Sequence, residues 1–203
     1  MNENNKRLHD QGQSLWVDNI TRAMLDDGTL EKYIAELSVT GLTSNPSIFE
    51  KAIGGGHDYD EQIAELAAND TNPESIFFEL AIDDLRRAAD LFKDTWTNTD
   101  GVDGFVSLEV SPLLADDTDG TISQATELHA KADRENLFIK IPGTEAGLPA
   151  IEEAIFQGVP VNVTLLFSRE QYLAVSQRLM NSDATELTAG FSPASIRRST
   201  PFM

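Results

Sequence analysis

The chain has 203 residues, 40% of them hydrophobic, enough to bury a sizeable core in one domain. No apolar run approaches the roughly 20 residues of a membrane-spanning helix, and the polar start MNENNKRLHDQGQ lacks the apolar stretch of a secretory signal, so a cytoplasmic location without a membrane partner is expected. A formal charge of −19 repels polyanions and argues against nucleic acid as a partner, while the absence of cysteine excludes disulfides, thiolate catalysis and thiolate metal sites. His9, His57 and His129 stand apart from one another without ligand spacing, so no metal is expected either.

From Leu15 onward, short apolar runs alternate with longer helical patterns, as in repeated βα units. The first two strands are expected at Leu15 to Asp18 and Ser38 to Thr43. A helix then begins at Pro46 and Ser47, just after Asn45, and stops at Gly54-Gly55-Gly56. A second helix is expected over Tyr59 to Ala68. A long amphipathic one follows from Pro73 to Lys93, with Ile76, Phe77, Leu80, Leu85, Ala88, Ala89 and Phe92 as its apolar stripe. The remaining strands are expected at Phe105 to Val110, Leu137 to Ile141 and Val161 to Phe167, and the remaining helices at Gly120 to Ala132, Gly147 to Phe156 and Arg169 to Met180.

Side chains of a strand alternate between its faces, and three of these strands divide their residues by chemistry. In FVSLEV, Ser107 and Glu109 share one face while Val106, Leu108 and Val110 share the other. In LFIKI, Lys140 lies opposite Leu137, Ile139 and Ile141; in VNVTLLF, Asn162 and Thr164 lie opposite Val161, Val163, Leu165 and Phe167. A doubly wound sheet buries both faces under helices and favours continuously apolar strands. A β/α barrel instead builds its active site at the strand ends on the inner face. The pattern favours an α/β chain of the TIM (β/α)8-barrel family with about five βα units present.

Lysine is out of place in an apolar strand, because burying an ammonium ion is costly. Burial disfavours the charged form of a lysine, and the neutral amine attacks carbonyl carbon to give a Schiff base. Lys140 is the candidate nucleophile. Such chemistry needs proton carriers, for which Glu109 and Asp18 are the candidates: Glu109 as general acid/base, Asp18 to accept a substrate hydroxyl proton as a carbon-carbon bond breaks. Thr164 can hold a water for Glu109, and Asn45, Ser107 and Asn162 can hydrogen-bond the hydroxyls of a polyol. Singly, each has a plainer reading, such as a helix cap for Asn45 or a lysine-glutamate ion pair for Lys140.

The segments SLWVDNI, GLTSNPSIFEKAI, DGFVSLEVSP, LFIKIPGT and VNVTLLFS, in this order, resemble the transaldolases, in particular the actinobacterial form and the form fused to a phosphoglucose isomerase. The resemblance covers about residues 9–180, within the segment 1–180 expected to form a partial barrel domain. It implies that Lys140 forms the Schiff base, that Glu109 acts through a water also held by Thr164, and that Asp18, Asn45 and Asn162 complete the site. The implied reaction moves a dihydroxyacetone unit from sedoheptulose 7-phosphate to glyceraldehyde 3-phosphate without cofactor or metal, in the non-oxidative pentose phosphate route. Glu109 separates this reading from the related fructose 6-phosphate aldolases, which resemble it but carry tyrosine at that place.

A full barrel takes about 250 residues, so the last three βα units and the phosphate-binding serine and arginine of the family are not expected here, and a non-catalytic truncated remnant is the alternative to an active enzyme. The segment 181–203, with Arg197 and Arg198, is expected to be a disordered tail, and an open sheet edge is expected to favour self-association.

Overall fold

The computed structural model describes residues 3–69 and 72–189, with the side chains of 182–189 excepted. The chain divides into two compact units, 1–108 and 109–203. All five expected strands form, each pairing described within a unit is parallel, and helices alternate with the strands along the chain.

The first unit contains α1 (Glu3–His9), β1 (Trp16–Asp18), α2 (Arg22–Asp26), α3 (Thr29–Leu37), β2 (Gly41–Thr43), α4 (Pro46–Gly54), α5 (Asp60–Ala67), α6 (Pro73–Asn98) and most of β3 (Val106–Glu109). β1 pairs with β2 through Trp16 with Gly41, Val17 with Leu42 and Asp18 with Thr43; β2 pairs with β3 through Leu42 with Val106 and Thr43 with Ser107. A Cβ at position 41 would overlap the Trp16 indole, so the glycine lets that ring lie against β2. β2 starts later than expected. Ser38, which closes α3, has a left-handed backbone with φ of 57°, so the extended chain can begin only after it.

Asparagine caps open two of these helices: the Asn45 side chain accepts from the Ile48 N–H, and that of Asn72 from the Ser75 N–H, each followed by proline in the first turn. α6 continues past its expected end at Lys93 to Asn98. It buries Phe78, Leu80, Ala81, Ile82, Leu85, Ala88, Ala89 and Phe92, while Ile76 and Phe77 stay half-buried. Beneath it lies a polar cluster. The Asp84 carboxylate, fully buried, accepts from Arg22 Nε at 2.9 Å and from the Tyr59 hydroxyl at 2.7 Å, and the Arg22 guanidinium sits 4.3 Å from the Tyr59 ring centre. Burial raises the carboxyl pKa of Asp84 against the pull of Tyr59 and Arg22. Burial, with the Asp84 charge, raises that of the Tyr59 phenol.

In the second unit β4 (Leu137–Pro142) and β5 (Val161–Thr164) pair in parallel, with α7 (Thr118–Ala132) before β4, α8 (Gly147–Phe156) between the two strands and α9 (Arg169–Ala189) after β5. A short 3-10 turn at Pro112–Leu114 precedes α7, whose first turn is capped by Asp117 through the Gly120 N–H. All six residues of β4 are buried. β5 is shorter than the expected Val161 to Phe167, because Leu165 adopts a left-handed conformation with φ of 62° and turns the chain out of the ladder. The backbone of α9 runs on to Ala189, into the segment expected as a tail; residues 190–203, Arg197 and Arg198 included, lie outside the described residues. No helix among the described residues is long and apolar enough to cross a membrane.

Candidate active site

The second unit brings four of the seven expected residues into one neighbourhood. Lys140 is at the middle of β4, only 7% exposed, and its Nζ lies 3.0 Å from Glu109 Oε2. The backbones agree with that contact, since the Val110 N–H donates to the Lys140 carbonyl at 3.2 Å. An ammonium so far from water needs a counter-charge, and Glu109, about one-fifth exposed, supplies it.

On the other side, the parallel register sets Asn162 directly beside Lys140 and Thr164 beside Pro142. Paired residues of a parallel ladder face the same way, so the Asn162 amide shares the face of the Lys140 amine. Asn162 is fully buried, yet neither its Nδ2 nor its Oδ1 has a hydrogen-bond partner, and the buried Thr164 Oγ1 has none either. Buried amides and hydroxyls are almost always satisfied. A structural lysine-glutamate pair accounts for Glu109 and Lys140 but leaves three unspent polar atoms beside them; a polar ligand or water accounts for all of them.

The first unit holds the other three. Asp18, exposed at the end of β1, is in register with Thr43, which is in register with Ser107, so these side chains share one face. The Ser107 hydroxyl is fully buried and donates to Thr43 Oγ1 at 2.9 Å, while the Ser44 hydroxyl donates to the Ser107 carbonyl at 2.7 Å. The proton of Ser107 is therefore held inside the protein. Asn45, half-buried, uses its Oδ1 to cap α4 at 3.0 Å, which leaves its Nδ2 as the group for another partner. Thr43 and Ser44 were not singled out by the sequence reading. The signal was their place beside Asn45 in GLTSNP and the period-two match of Thr43 with Ser107 across the strand pair.

No group of three or more histidine, aspartate or glutamate side chains among the described residues is arranged to hold a metal ion. What the arrangement offers is an amine, a carboxylate within proton-transfer distance and a set of neutral hydrogen-bonding groups, the components of carbonyl addition and proton shuttling.

The family model described as transaldolase/fructose-6-phosphate aldolase matches residues 15–193. A transaldolase of Mycolicibacterium paratuberculosis is 51% identical over 174 residues, covering 86% of this chain and 47% of the relative. Transaldolases of Mycobacterium tuberculosis and Mycobacterium marinum are 45% and 43% identical over 201 residues, covering 99% of this chain and 54% of each relative. The chain thus spans about half the length of the curated relatives it matches, and those relatives come from the actinobacterial group that its motifs resemble. With a match that runs through both units and every motif of the site, the chain belongs to the transaldolase/fructose-6-phosphate aldolase family.

Proposed function

We propose that the chain carries the Schiff-base half of a transaldolase site, with Lys140 as nucleophile, acting in the cytoplasm on phosphorylated ketoses of the non-oxidative pentose phosphate route. One observation carries the reading: the buried Lys140 amine lies 3.0 Å from Glu109 and in register with the unpartnered amide of Asn162. Glu109 removes a proton from the ammonium, directly or through a water that Thr164 also holds. The neutral amine adds to the ketose carbonyl, forming a C–N bond and a carbinolamine. Protonation of its hydroxyl by Glu109 releases water and leaves the iminium. The iminium takes up the electron pair of the next carbon-carbon bond as that bond breaks, so no metal or organic cofactor is needed for this step.

In the role given by the family resemblance, Asp18 accepts the proton of the departing aldehyde's hydroxyl, and the enamine that remains adds to glyceraldehyde 3-phosphate. Water then hydrolyses the new iminium and frees Lys140. The Asn162 amide suits a hydroxyl beside the reacting carbonyl. By the family resemblance Asn45 also serves the site, and its Nδ2 is the group left for that role.

The test is reduction with borohydride in the presence of fructose 6-phosphate, followed by mass analysis of the peptide containing Lys140. The expected result is a reduced dihydroxyacetone or hexose adduct on Lys140 and on no other lysine. A folded sample without that adduct would overturn the catalytic reading and leave family membership untouched. Product analysis with and without an acceptor aldehyde separates transfer, which needs the acceptor, from simple aldol cleavage, which releases dihydroxyacetone without it.

A further inference from the structure

The second unit's groups proposed to do the chemistry stand on β3, β4 and β5, and a short piece of backbone next to Lys140 touches the exits of all three. Pro142 ends β4, and Gly143 and Thr144 follow. The Gly143 N–H donates to the Thr164 carbonyl at 2.8 Å, the last carbonyl of β5. A side chain at 143 would meet Leu166, the residue after the left-handed turn at Leu165, so the glycine lets the β5 exit lie against the β4 exit.

Thr144 faces the other way. Its hydroxyl donates to the Ala115 carbonyl at 2.8 Å, in the loop between β3 and α7, and accepts from the Gly147 N–H at 2.9 Å, in the first turn of α8. The lacing is reciprocal: from the same β3 exit, Thr118 donates its hydroxyl to the Ala146 carbonyl at 2.7 Å. The stem of that loop is held as well, because the Ser111 N–H donates to Gln124 Oε1 at 2.6 Å. Gly147 completes the joint, since a Cβ there would overlap the Pro142 carbonyl.

We infer that Gly143-Thr144 is a clasp that sets Glu109 against Lys140, with Thr144 as a positioning residue for the reaction proposed above. The reason is geometric. Glu109 lies six residues before Ala115 and Lys140 four before Thr144, so each is the stem of a loop that the Thr144 hydroxyl joins to the other. One hydroxyl satisfies a donor and an acceptor from two loops at once, a task that serine can repeat and valine, of the same shape, cannot. Loss of the bond lets the loops drift, and small losses of orientation between an acid/base group and its amine are costly in rate.

The inference rests on the proposed reaction for its kinetic consequence but not for its geometry, and the test keeps the two apart. The full chain is compared with Thr144→Val, Thr144→Ser, Glu109→Gln and the control Thr126→Val, which removes a hydroxyl bond to Gln157 elsewhere on α7. In the first arm, acetic anhydride acylates lysines at fixed pH, and Lys140 labelling is scored against the exposed Lys6 by peptide mass analysis. Thr144→Val is expected to raise Lys140 labelling several-fold, in the direction of Glu109→Gln, with Thr144→Ser and Thr126→Val near the parent. In the second arm, the borohydride-trapping rate with fructose 6-phosphate falls about 10-fold in Thr144→Val at saturating substrate, with half-saturation little changed and serine restoring the rate. Failure of the parent to form any adduct overturns the proposed function while the labelling arm still decides the clasp. Equal Lys140 labelling in the parent, the valine and the serine variants overturns the clasp, whatever the adduct shows.

Discussion

Lys140 and Glu109 depend on each other for stability as well as for the proposed chemistry. Replacing lysine alone by methionine leaves a largely buried carboxylate without its ion-pair partner, and breaking such pairs from one side costs about 3–5 kcal/mol at most. Lys140→Met is therefore expected to lose the borohydride adduct and to melt at lower temperature, while Lys140→Met with Glu109→Leu recovers part of the loss in thermal denaturation. Glu109→Gln keeps the shape of the side chain and removes its base; transfer is expected to fall by about 10²–10⁴-fold in a coupled assay. Asn45 separates two duties within one side chain. Asn45→Asp keeps the oxygen that caps α4 and removes the Nδ2 donor, so an unchanged Tm with a raised KM is expected, whereas Asn45→Ala lowers both Tm, by the loss of a cap worth about 1 kcal/mol, and affinity.

Among the elements, strands were easier to read than their limits. The alternation in FVSLEV, LFIKI and VNVTLLF identified the strands and the common face of Lys140 and Asn162, because side-chain direction follows from the period of two. The ends did not follow from it: Ser38 and Leu165 adopt left-handed conformations that no propensity assigns to such residues, and these cut β2 and β5 short. The helices α1, α2 and α3 went unread; α1 and α2, of seven and five residues, are too short to show a clear apolar period. At the site, the strand face of each residue was legible and its hydrogen-bond partner was not. Ser107 was read as a group facing a ligand, but its proton goes to Thr43, a hydroxyl 64 positions away in sequence that only the strand register brings near.

At the scale of the molecule, charge and burial set the response to solution conditions. With a formal charge of −19 the folded chain repels itself, so added salt is expected to raise Tm. Asp84 works differently. Its carboxyl pKa is raised by burial, and an acid raised in the folded state contributes stability that is full below its unfolded value and lost as pH rises through the folded one. The Tm of Asp84→Asn relative to the parent is therefore expected to climb as pH is taken from about 4 to 7. A Tm difference that stays flat over that range would contradict it. Tyr59, also raised, gives the same sign at the alkaline end: the parent loses stability faster than Tyr59→Phe above about pH 10. Apolar residues on the β5–α9 side of the second unit set a third property. Phe167 is 83% exposed, and Leu165, Leu173 and Met180 are each more than half exposed. Self-association in sedimentation is expected, and Phe167→Ser with Leu173→Ser is expected to reduce it.

The register that places Asn162 beside Lys140 also bears on how the chain finds its fold. A β5 strand that docked one residue out of step would set Val161 or Val163 beside the ammonium and turn the Asn162 amide into the apolar layer. Both errors are penalised in the same event, one by an ill-matched neighbour and the other by a polar group among aliphatic ones. An asparagine proposed to meet the substrate would thereby also proofread the sheet: Asn162→Val would remove a hydrogen-bonding group and open a wrong way to fold.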